Sequence, residues 1–186
     1  MSGRERVLSG RSRRTSNRAP RFDYGNPGWY FVTVVTEGRT CLFGMVEEGE
    51  MRLTTAGEFV AAEWERTPSL RPNVSLDAFV IMPNHIHGII QIRSAAVRPQ
   101  RLDQTSLQSP SQTLGAIVRG FKGATTKQVN EAAGTFGQPL WQRNFHDRIL
   151  NSIAELHDAR SYIDANPRHW SSDEHFVDEP DLRAML

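Results

Sequence analysis

Residues 76–82 and 85–92 are two apolar, β-branched stretches separated only by Pro83-Asn84. A joint of two turn-forming residues leaves no room for a crossover, so the two strands must lie side by side and antiparallel. They read as two core strands of whatever sheet this chain builds. Everything else has to be arranged around that hairpin.

Upstream, residues 29–36 (Trp-Tyr-Phe-Val-Thr-Val-Val-Thr) are β-branched or aromatic almost throughout and predict a central strand. A short hairpin is expected over 41–53, turning at Glu47-Glu48-Gly49-Glu50. Thr55 and Glu58 have capping-box spacing and open a helix with Val60 and Trp64 on one face, which Pro68 and Pro72 should end. Residues 93–112, rich in Ser, Gln, Arg and Pro, read as a flexible loop. Leu114, Ile117, Val118 and Phe121 recur at helical spacing. After a break at 134–139, Ser152 and Glu155 cap a last helix that Pro167 stops, with Ile153, Leu156, Ala159 and Ile163 as its buried stripe. The order strand, hairpin, helix, two strands, two helices predicts an α+β fold: one antiparallel sheet with helices packed on one face.

The 186 residues suit one domain: a basic arm over 1–27, a folded unit over 28–170 and an acidic tail over 171–186. The first 21 residues carry seven arginines against Glu5, a balance of +6 within a chain of net charge +1. Such an arm tracks phosphates by counterion release, with Arg11, Arg13 and Arg14 as representative contacts. No apolar run approaches the ~18 residues of a membrane span, and no apolar stretch follows the arginines as a secretory signal requires. A single cysteine, Cys41, leaves no internal disulfide and no cysteine-rich zinc site, which points to a reducing cytoplasm.

The chemistry concentrates at two places. On a strand, His85 and His87 point to the same side while Ile86 points to the other. Their Cα atoms would lie about 6.5–7 Å apart, close enough for two imidazoles to share one cation. On the last helix, Tyr162 falls roughly 110° from the centre of the buried stripe, with Asn166 one turn further on the same side. Taken singly, each is weak: a histidine pair is often incidental, and a marginal tyrosine is usually a half-buried boundary residue.

Together with their neighbours they are not weak. The segment Met82-Pro83-Asn84-His85-Ile86-His87 resembles the His-hydrophobic-His motif of the HUH endonucleases, in the form found in single-tyrosine transposases. Three further stretches agree in order: Arg21-Phe22-Asp23-Tyr24 leading into Tyr30-Phe31-Val32-Thr33, then Trp141 to Asp147, then Tyr162-Ile163-Asp164-Ala165-Asn166-Pro167. The set resembles the REP-associated tyrosine transposases, bacterial proteins tied to repetitive extragenic palindromes, from about residue 11 to 170.

That resemblance implies a ferredoxin-like core, Mg²⁺ or Mn²⁺ on His85 and His87, Asn166 as third ligand and Tyr162 as nucleophile. The mobile-element members tend to carry glutamine at the position of Asn166, whose shorter amide reaches less far. The implied activity is cleavage and rejoining of single-stranded or hairpin DNA through a 5′-phosphotyrosine, in a cytoplasmic, nucleoid-associated protein; a homodimer is compatible with it. Arg119, Lys122 and Arg143 are candidate DNA contacts. His146 and Asp147 read as structural or DNA-positioning, and Trp141 and Trp170 as core anchors. Two alternatives stay open: a domesticated hairpin-binding protein without transposition activity, and a relaxase or replication initiator, of which a relaxase would use a tyrosine upstream of the histidines, where Tyr24 and Tyr30 lie.

Overall fold

The computed structural model describes residues 27–94 and 113–178. The arm with Arg11, Arg13, Arg14 and Tyr24 therefore lies outside the described residues, as does most of the 93–112 loop. Along the chain come β1 (Gly28–Val35), the hairpin β2 (Gly44–Glu47) and β3 (Glu50–Leu53), α1 (Thr55–Leu70), β4 (Val74–Met82), β5 (His85–Ile92), α2 (Leu114–Ala133), β6 (His146–Leu150) and α3 (Ile153–Ala165). A 3-10 segment, Asn166–Ser172, follows α3 directly.

The main sheet has the order β4-β5-β1-β6, every pair antiparallel. Met82 pairs with His85, so Pro83-Asn84 is the two-residue turn that the sequence demanded. β1 lies on the other side of β5, with Thr33 opposite His87 and Val35 opposite His85. The α+β architecture with one antiparallel sheet is as predicted. β6 is an addition: five residues with exposed His146 and Arg148 carry too little apolar alternation to announce a strand.

The helices do not share one face. Tyr30, Val32 and Val34 of β1 and Ile86 and Ile90 of β5 pack with Val60, Trp64, Ile117 and Phe121 from α1 and α2. The alternate residues, Phe31, Ile89, Val80 and Leu150, pack instead with Leu156, Ala159 and Ile163 of α3. Central strands apolar at every position expose two greasy faces, and each needs a cover. The one-face expectation is thus corrected: α1 and α2 cover one side, α3 the other.

Local chemistry sets the helix ends. Thr54, one residue before the expected cap, accepts from the Gly57 amide to start α1. Pro68 falls in the last turn, and the helix runs past it to Leu70. Gly134 closes α2 in the left-handed conformation, φ 68°. Ser152 caps α3 as expected, accepting from the Glu155 amide, but the Glu155 carboxylate reaches back to the Asn151 amide. Ile153 is 76% exposed, so only three residues of the predicted stripe are buried. The chain also stays packed beyond residue 170, where the acidic tail was expected to begin. Phe176 and Val177 lie against Cys41, Met82 and Trp170.

Candidate active site and metal centre

β5 turns His85 and His87 toward the α3 side of the sheet, both essentially buried. Their Nε2 atoms approach to 3.1 Å. The other nitrogen of each ring is held from behind: His85 Nδ1 lies 2.9 Å from Asn84 Oδ1, and His87 Nδ1 lies 2.8 Å from Thr33 Oγ1. The orientation of the Asn84 amide is fixed, because its Nδ2 donates to the carbonyls of Arg39 and His175. His85 must therefore donate from Nδ1 and keep its Nε2 lone pair free. Thr33 can accept from or donate to His87, so the His87 proton can sit on either nitrogen without a heavy atom moving. With that proton on Nδ1, two lone pairs face each other across 3.1 Å, an arrangement that calls for a cation between them.

A carboxylate completes the cluster. Asp173 Oδ2 lies 4.0 Å from His85 Nε2, with the Asp173 side chain 4% exposed. Ligand atoms of His85, His87 and Asp173 all fall within 4.8 Å of one another. Asp173 Oδ1 accepts from the His175 amide at 2.7 Å, which turns the other oxygen toward the histidines. Asn166 is buried nearby at the start of the 3-10 segment, and its Oδ1 has no hydrogen-bond partner. Two neutral nitrogens, one carboxylate and one orphaned amide oxygen form a donor set that fits a divalent cation. Sequence reading named three of these residues and missed Asp173, which sits in an acidic stretch indistinguishable from a solvated tail.

Tyr162 stands at the mouth of the cluster, 46% exposed, with its hydroxyl 3.4 Å from His87 Nε2. Phe31 stacks on the His87 ring at 5.3 Å and meets Tyr162 edge-on at 6.0 Å, bracketing both. Burial raises the phenol's pKa, the Asp173 charge adds to that, and a hydrogen bond from Asn166 opposes them. Tyr162, Asn166, His169, Ser172, Asp173 and Glu174 line a cleft of about 320 Å³. Tyr30 is fully buried in the α1/α2 core on the opposite face.

The proposed DNA contacts fare unequally. Lys122 donates to the carbonyls of Gln142, Arg143 and Asn144, so its three hydrogens hold the loop that leads into β6. It is no free phosphate ligand here. Arg119 is exposed on α2, on the side of the sheet away from the histidines, and Arg143 is exposed in the loop before β6. On the near side, Arg148 was not among the expected DNA contacts, whereas His146 was read as structural or DNA-positioning. Arg148 pairs across from Phe31 and places its guanidinium 5.9 Å from that ring. His146 pairs with Thr33 and shares its face. Trp141 and Trp170 are buried as predicted, and Trp141 Nε1 donates to Thr125 Oγ1 at 2.8 Å.

Burial lowers His85 and His87 to about 3, helped by the nearby His175 for His85 and by His85 for His87. Between that value and the ordinary 6.5 the unfolded chain takes up protons that the folded site refuses. The stability that these two imidazoles contribute is therefore fully present above pH 6.5 and is lost as pH falls toward 3, by up to about 1.4 kcal/mol per histidine per pH unit. Urea unfolding in chelator should show this slope between pH 6 and 4.5. His85→Gln should make it shallower; an unchanged slope would exclude the His85 imidazole as a source.

No family model matches the chain. A Haemophilus influenzae protein described as uncharacterized is 36% identical over 171 residues, covering 89% of this chain and 94% of that one. Among solved structures, a REP-associated tyrosine transposase bound to a REP hairpin superposes with a TM-score of 0.50 at 21% identity, covering 83% of this chain and 73% of that chain. No helix among the described residues is long and apolar enough to cross a membrane. The chain belongs to one family with the Haemophilus influenzae protein and has the fold of a REP-associated tyrosine transposase.

Proposed function

We propose that this chain cuts and rejoins single-stranded DNA beside a hairpin, using Tyr162 as the nucleophile. The observation that carries the reading is the convergence of a half-exposed phenol on two buried imidazoles, His85 and His87, whose Nε2 atoms face each other. In the reaction the Tyr162 oxygen forms a bond to phosphorus and the bond from phosphorus to the 3′ oxygen breaks. The products are a 5′-phosphotyrosine and a 3′-hydroxyl, which carries away the proton. One phosphoester replaces another, so the reverse attack by a 3′-hydroxyl rejoins the strand.

His85 and His87, with Asp173 and Asn166 beside them, would hold Mg²⁺ or Mn²⁺. Such a cation supplies the positive charge that phenol ionisation and the phosphate transition state require. The remaining roles belong to the chain. Phe31 and Asn166 orient Tyr162, while Thr33 and Asn84 aim the imidazoles. Arg148 and Arg143 suit phosphates entering from β6, on the near side of the sheet or just before it. Hairpin DNA is carried over from the transposase of the same fold, which was solved with a REP hairpin. The direct test is a labelled hairpin with a single-stranded tail, incubated with Mn²⁺ and run on a denaturing gel. A protein-linked 5′ end and a free 3′-hydroxyl end are expected. Binding without a cut would leave the chain a hairpin-holding protein.

The basic arm is proposed to supply affinity and not chemistry. Deleting residues 1–20 removes six of its seven arginines. On a single strand, the slope of log affinity against log salt should flatten by about 0.7 for each phosphate the arm no longer neutralises. Cleavage at saturating DNA should persist. An unchanged slope in a salt titration would remove the arm from the interface.

A further inference from the structure

Arg160 lies two residues before Tyr162 on α3 and grips Asp77 of β4 with two bonds. Nε donates to Oδ1 and Nη2 donates to Oδ2, each at 2.7 Å. Asp77 occupies a special place in the sheet. β4 slips register against β5 between Leu76 and Phe79, so that Asp77 and Ala78 stand opposite Ile89 alone. Such a bulge frees a backbone amide from the ladder and re-aims the side chains beside it. The Ala78 amide donates to Asp77 Oδ1 at 2.8 Å, which helps to fix the carboxylate that the guanidinium grips. The slip also changes which residues face which side: Leu76 packs with the α1/α2 core, whereas Ala78 and Val80 pack toward α3.

We propose that Asp77 and Arg160 form a positioning latch that sets the rotation of α3 and thereby the place of the Tyr162 hydroxyl beside the histidines. The latch rests on the reading of Tyr162 as nucleophile. α3 buries only Leu156, Ala159 and Ile163 against the sheet, and a narrow apolar contact tolerates sliding and rotation. A side-on bidentate pair does not, because a planar fork meets a planar carboxylate in one geometry. The Arg160 hydrogen bonds, aided by the Ala78 amide, hold the Asp77 carboxyl below its ordinary value, so the latch stays ionised at neutral pH. The pair is only partly buried, with side-chain exposures of 39% for Arg160 and 18% for Asp77. Its loss should therefore shift the helix without unfolding the protein.

A displacement near 1 Å at a reacting group can cost up to about 100-fold in rate. Asp77→Asn and Arg160→Gln should each slow covalent adduct formation on saturating hairpin by about 10- to 100-fold. Hairpin affinity and melting temperature should stay at the wild-type values. Arg160→Lys keeps the charge but loses the fork, so it should fall with the defective variants and not with the wild type. Unchanged adduct rates, or a rate loss matched by an equal loss of hairpin affinity or by collapse of the melting temperature, would overturn the latch. A wild type that forms no adduct would defeat the nucleophile reading instead. The latch would then be decided by amide hydrogen exchange over residues 156–165: exchange accelerated there alone in the variants supports it, and unchanged exchange overturns it.

Discussion

Tyr162→Phe should abolish the covalent protein–DNA adduct, with strand cleavage falling by about 10³-fold or more. The change deletes one oxygen and leaves the ring, so the edge contact with Phe31 and the contact with His87 survive. Folding and hairpin affinity should be close to wild type, which separates a chemical defect from a structural one. Tyr24→Phe, in the arm, should keep the adduct. Tyr30 cannot compete, because it is fully buried on the opposite side of the sheet. An adduct of undiminished yield in Tyr162→Phe would transfer the nucleophile elsewhere and return the relaxase-like reading through Tyr24.

His85→Ala and His87→Ala should each reduce cleavage by about 10³-fold, some 4 kcal/mol of transition-state stabilisation. Hairpin affinity should change little, since phosphate binding resides mostly in arginines and lysines. Asp173→Asn gives the informative contrast. It keeps the size and the hydrogen bond to the His175 amide but removes the charge that faces His85. Mn²⁺ affinity, measured by calorimetry or by the metal's magnetic resonance signal, should drop in all three variants. Cleavage by the wild type that survives exhaustive chelation would end the metal-centred reading whatever the variants do.

The β4–β5 hairpin was legible because its evidence is local. Two apolar strands joined by Pro83-Asn84 can pair in only one way, and that pairing directs His85 and His87 to one side. The marginal place of Tyr162 was legible from helical periodicity for the same reason. β6 was not, since five residues with exposed His146 and Arg148 have no pattern until β1 offers them an edge. The side taken by α3 was equally hidden. Alternating apolar residues announce that both faces need a cover, and do not say which helix covers which.

Asp173 is the sharpest case. Its sequence context is a run of acidic residues, and nothing within that run marks one carboxylate for burial. It becomes a candidate ligand because Phe176 and Val177 pack against Cys41, Met82 and Trp170, and because Asn84 and Arg39 bind the carbonyls of His175 and Glu174. Lys122 shows the converse: a lysine on a polar helix position read as a phosphate contact until the fold supplied three carbonyls to it. The sequence alone determined the strand hairpin, the paired imidazoles and the tyrosine at a helix margin, each set by the period of one element. Tertiary structure decided which helix faced the histidines, which carboxylate joined them and which cations stayed free. Those outcomes depend on contacts between residues far apart in the chain, such as Arg39 and Glu174, 135 positions apart, and no local pattern encodes them.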